Sequence, residues 1–180
     1  MDPIYTVIIA ILAVLAVSGL FVGVTNDAVN FLNSAIGSKA ASRRVILIVA
    51  SIGILVGTLT SSGMMEVARN GMFDPGMFSF HEVILLYLSV MFANIILLDL
   101  YNSWGLPTST TVSLIFCLLG AAIAVSTFKI AGSDALSMGD LGEFIHAGRA
   151  FGIVAAILLS VVIALTVGTA VMYVSRLIFS

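Results

Sequence analysis

Five apolar stretches separated by polar connections run along the chain, at residues 4–24, 45–65, 83–100, 112–131 and 150–174. Each approaches the roughly 20 helical residues needed to cross a hydrocarbon core about 30 Å thick. All five are expected to be helices, because five spans are too few to close a barrel and open sheet edges cannot face lipid. Gly19 with Gly23, and Gly53 with Gly57, are small-xxx-small pairs expected to let neighbouring backbones approach. The pattern predicts an all-α membrane protein of about five transmembrane helices plus broken or half helices, in a single transmembrane domain over residues 1–180.

Composition agrees: 61% of residues are hydrophobic and 9% charged, far from the roughly 25% charged usage of soluble domains. The net charge of −2 is spread thinly, without a basic run, so nucleic acid is not an expected partner. Cys117 is the one cysteine, which leaves no intrachain disulfide and no cysteine metal framework. The opening Met1-Asp2-Pro3 lacks the basic region of a signal peptide, so the first run is expected to be retained as a span.

Two polar segments interrupt this apolar pattern. The first begins with Thr25, Asn26, Asp27 and Asn30 and continues through Asn33 to Lys39. On a helix, Asn26, Asn30, Asn33 and Gly37 form one stripe at i, i+4, i+7 and i+11, with Asp27 beside it. A carboxylate at a helix centre in lipid costs about 2.5–3.5 kcal/mol, so it demands a role. One carboxylate with amide carbonyls makes a set of hard oxygens suited to a small monovalent cation. The rival account places Asp27 at the membrane interface, with the asparagines capping a helix end.

The second segment, residues 102–113, carries no charge. Gly105 and Pro107 stop a helix, and a new one is expected just after Pro107, crowding Thr108, Ser109, Thr110 and Thr111 at its N-terminus. Free N–H groups, the positive end of the helix dipole and four hydroxyls suit a tetrahedral oxyanion. No lysine or arginine lies nearby, so a co-bound cation is expected to offset the anion's charge. The plainer account is an interfacial turn with ordinary caps. Asn94 and Asp99 are expected to make polar contacts within the bundle, and His81 and His146 to be interfacial.

Lys39, Arg43 and Arg44 cluster between the first two runs, whereas the next connection carries Arg69 against Glu66 and Asp74. The positive-inside rule then places the first loop in the cytoplasm and the N-terminus outside.

Asn26-Asp27-Ala28-Val29-Asn30 followed by Ala35-Ile36-Gly37-Ser38-Lys39-Ala40 resembles the signature GANDVANAFGT(S/A)VGSKA of the inorganic phosphate transporter family. Gly105-Leu106-Pro107 with Ser109-Thr110-Thr111 resembles its second landmark, GLP(V/I)STTH. Val24, Asn33 and Val112 depart from the pattern, as does the order Ala28-Val29. The resemblance implies a carrier of two inverted repeats that takes up phosphate on a sodium or proton gradient. Asn26, Asp27 and Asn30 would contribute to cation binding; Ser109, Thr110 and Thr111, with Thr108, would contact phosphate.

The expected function is sodium-coupled phosphate symport by alternating access in the cell membrane, with sodium as coupling ion, no other cofactor and no covalent chemistry. This chain would be one repeat, a half or fragment of a longer carrier, needing a second inverted repeat or a homodimer partner in the lipid bilayer. A proton-coupled sulfate or phosphate permease of the same superfamily is the alternative within transport. A non-transporting membrane scaffold is the rival of another class. An aspartyl protease using Asp27 and Asp99 is disfavoured, since Asp99 lacks a preceding Gly-x-Gly.

Overall fold

The computed structural model describes residues 3–61, 66, 71–134 and 136–179. The chain is all-α: long helices α1 (Pro3–Gly37), α2 (Arg43–Thr60), α3 (Phe80–Ser103), α4 (Thr110–Ala131) and α6 (Ala147–Phe179), with the single turn α5 (Leu141–Phe144) before α6. Among the described residues the five long helices are each long and apolar enough to cross a membrane. No strand is present there; one antiparallel bridge joins Phe73 to Ile145. The stretch 62–65 at the end of the expected second span, and Arg69, lie outside the described residues.

Helix ends follow local chemistry. Ser79 opens α3 with a capping box: Ser79 Oγ accepts from Glu82 N at 3.3 Å, and Glu82 Oε2 accepts from Ser79 N at 2.6 Å. α3 closes on a Schellman motif in which Leu106 N donates to Tyr101 O and Gly105 N to Asn102 O, with Gly105 at φ +67. α3 thus spans 24 residues, longer than its purely apolar run of 83–100 predicts, because Ser79 and Gly105 set its ends.

α1 packs along α3, and α3 packs along α4. The core lies between α3 and α4, where Leu86, Val90, Ile115, Leu118 and Ala122 are buried. One end of that pair is closed by the segments flanking α3 and α6. There Asp74 N donates to Phe144 O, His146 N donates to Met72 O, and Phe78 meets Phe73 and Phe144 edge-on at 5.5 and 5.6 Å. The outward faces of α1, α2 and α6 are apolar and exposed, as a lipid-facing surface requires.

Close approach is realised at one glycine pair only. A Cβ on Gly19 would lie 3.4 Å from Ile95, and one on Gly23 3.3 Å from Thr110, whereas nothing lies within 4 Å of Gly53 or Gly57. The first pair faces α3 and the start of α4; the second lies on the largely exposed α2.

Candidate functional site

The first polar segment is not a break. α1 stays helical from Pro3 to Gly37, about 52 Å at 1.5 Å per residue. The amides of Asn26 and Asn30 bond outward rather than competing for their own backbone, which is what lets the helix continue. Thr25 turns back, its Oγ1 donating to Phe21 O at 2.8 Å. Of the expected stripe, Asn26 is buried while Asn30, Asn33 and Gly37 are exposed.

The partner of α1 is the link between α3 and α4. Asn26 Oδ1 accepts from Thr108 N at 3.0 Å; Asn26 Nδ2 donates to Asn102 Oδ1 at 2.6 Å and to Leu106 O at 3.5 Å. Asn30 Nδ2 donates to Thr108 O at 3.1 Å, and Asn102 Nδ2 to Val22 O at 3.3 Å. Asn26 and Asn30 therefore hold both backbone groups of Thr108. The half-buried Asp27 accepts at Oδ2 from Thr110 Oγ1 at 2.7 Å.

α4 starts two residues later than a helix opening directly after Pro107 would. Ser109 is its N-cap, with Ser109 Oγ accepting from Val112 N at 3.4 Å. The cause is the hold that Asn26 and Asn30 keep on Thr108, which leaves Thr108 and Ser109 outside the helix. Helix geometry leaves the N–H groups of Thr110 and Thr111, in the first turn, without intrahelical acceptors. Ser109 and Thr111 are exposed, and Thr108 and Thr110 half-buried.

Asn26, Asp27 and Asn30 thus meet Thr108 and Thr110, with Ser109 and Thr111 adjacent to these in sequence at the start of α4. A cleft of about 180 Å³ lies on the Thr25 flank of α1, lined by Asn26, Asn102 and Gly105 to Pro107. It does not include Asp27 or the 109–111 hydroxyls.

Asn102 is the member that sequence reasoning left without a role. An amide three residues before a helix-stopping glycine reads as a cap; its partners, Asn26 and Val22, lie 76 and 80 positions away. Asp99, expected as a bundle contact, is exposed on α3, because its position on the helix faces away from α1 and α4. Asn94 is buried, but its Oδ1 is unpaired among the described residues, so the expected polar contact is not made at that atom. His81 is exposed and His146 half-buried at the closed end of the α3–α4 pair.

Comparison with known proteins places these features in a wider group. The sequence profile described as "Phosphate transporter family" matches residues 23–180, which takes in both polar segments. A protein named "Putative phosphate permease" from Mycobacterium bovis is 31% identical over 134 residues, covering 71% of this chain and 24% of that protein. Another of that name, from Thermococcus kodakarensis, is 31% identical over 108 residues, covering 58% of this chain and 26% of its own length. The chain therefore matches about a quarter of the length of these curated relatives. No solved structure matches.

Proposed function

Because the chain belongs to the phosphate transporter family, we propose that it forms part of a sodium-coupled phosphate symporter of the cell membrane, working by alternating access. In this reading Asp27, with Asn26 and Asn30, takes the cation, and the N-terminus of α4 takes phosphate through Ser109, Thr110, Thr111 and Thr108. The observation that carries it is the 2.7 Å hydrogen bond from Thr110 to Asp27.

That contact makes coupling a matter of electrostatics. An anion seated at the start of α4 would sit within a few ångströms of the Asp27 carboxylate. Two like charges about 4 Å apart repel by about 1 kcal/mol in water and about 4 kcal/mol at the effective dielectric of a protein surface. A monovalent cation on Asp27 cancels this term, so each ion raises the other's affinity. Thr110 mediates the exchange. With Asp27 occupied by a cation, Thr110 Oγ1 can turn a lone pair to that cation and donate its hydrogen bond to a phosphate oxygen, keeping its proton.

Asn26 Oδ1 already accepts from Thr108 N, and Asn102 Oδ1 from Asn26 Nδ2. The cation shell from this chain would then rest chiefly on Asp27 and Asn30 Oδ1, with further ligands from a second inverted repeat or a second copy. The N-terminus would lie outside, with Lys39, Arg43 and Arg44 facing the cytoplasm.

The test is phosphate uptake by proteoliposomes under an imposed sodium gradient, compared with an imposed proton gradient. Uptake driven by sodium is expected. Uptake indifferent to sodium but driven by protons would replace sodium with the proton, and strong competition by sulfate would change the anion.

A further inference from the structure

We propose that Gly23 is a positioning residue for ion coupling: it forms the seat that aims the Thr110 hydroxyl at Asp27. This rests on the cation role given to Asp27 above.

Gly23 lies one turn before Asp27 on α1, so both residues look toward the start of α4. A Cβ on Gly23 would come within 3.3 Å of Thr110 Cγ2 and 4.0 Å of Leu98 Cδ1. The two branches of Thr110 are therefore both fixed by α1: its methyl faces Gly23 and its hydroxyl bonds Asp27 at 2.7 Å. Threonine has few χ1 states, so placing the methyl selects where the hydroxyl points.

Thr110 has little freedom to retreat. Its backbone begins α4 behind the Ser109 cap, and Thr108 is clamped by Asn26 and Asn30 two residues earlier. An added methyl at position 23 then requires α1 or Thr110 to give by a few tenths of an ångström, and either displacement disturbs the aim of the hydroxyl at Asp27. Gly19 differs: the three atoms nearest a Cβ there belong to the side chains of Ile95 and Met91, neither of them a site residue.

The experiment is a cycle of Gly23→Ala and Thr110→Ser in the full chain, since serine keeps the hydroxyl and removes the methyl that alanine would strike. Two quantities are read: the sodium concentration for half-maximal phosphate uptake, and the melting temperature in detergent. Gly23→Ala is expected to raise the half-maximal sodium concentration about five-fold and to lower the melting temperature, as contacting residues couple. Adding Thr110→Ser should bring both to within about two-fold, or its thermal equivalent, of Thr110→Ser alone.

A Gly23→Ala protein with wild-type sodium dependence overturns the proposal, as does a double variant no better than Gly23→Ala. If wild-type uptake ignores sodium, the cation reading itself fails. The thermal cycle still reads the seat, and additive melting shifts would then reject it.

Discussion

Thr110 and Asp27, 83 positions apart in sequence, share a 2.7 Å hydrogen bond that ties the first turn of α4 to the middle of α1. Around it, Asn26 and Asn30 grip Thr108, so that a helix start and a polar helix face are locked into one unit. This unit rests on amides and a hydroxyl rather than on ion pairs, in keeping with the proposed passage of ions through it.

Asn26 is the centre of that grip, bonding Thr108, Asn102 and Leu106 while 3% exposed. Asn26→Ala strips a partner from Asn102 and from Thr108 N. Each buried polar group left unpaired costs about 1–3 kcal/mol. The expected outcome is a clear fall in melting temperature in detergent together with loss of phosphate uptake. An Asn26→Ala protein as stable as wild type would mean that the grip does not hold the link in place.

Gly105 ends α3 at φ +67, with nothing within 4 Å of where a side chain would project. A substitution there meets no steric contact and pays only the left-handed backbone, about 1–2 kcal/mol for an ordinary L-residue. Gly105→Ala should lower the melting temperature and Gly105→Asn should lower it less, since asparagine tolerates that region. Alanine matching glycine in thermal scans would count against the Schellman ending.

Lys129 marks the opposite end of the α3–α4 pair, about 30 Å along α3 from Asn102. Its Nζ donates to Met77 O at 2.9 Å and to Glu82 Oε2 at 2.8 Å, and stands 5.7 Å from the Phe78 ring centre. Both charged side chains are nearly a third exposed, at 30% and 28%, so the pair contributes no more than about 1 kcal/mol. Lys129→Met should cost a few degrees of thermal stability and leave the sodium dependence of uptake unchanged. A shifted sodium dependence would show that this end communicates with the site.

The spans were legible in the sequence because hydropathy over some twenty residues reports lipid exposure directly. Gly105 and Pro107 marked the stop of α3 for the same local reason: few residues can serve there. That residues 26–37 form a helical stripe was legible in their spacing, but not that they continue α1 without a break, since polar residues after an apolar run also fit a helix end. What keeps them helical is a partner segment roughly 80 positions later, and no local pattern records it. Asn102 escaped notice on the same ground. Gly19 and Gly53 looked alike in sequence, yet the first packs on Ile95 and the second on nothing within 4 Å, because a small-residue pair does not name its neighbour.

Asp27→Asn tests the central claim most directly. The amide oxygen can still accept from Thr110, so insertion and the local hydrogen bond should survive while the negative charge is lost. The measurement is phosphate uptake into proteoliposomes as a function of the sodium gradient, wild type beside variant, with melting temperature in detergent as a check on folding. Loss of sodium-driven uptake from a folded Asp27→Asn protein is the predicted result; uptake that follows the sodium gradient as in wild type would contradict the account.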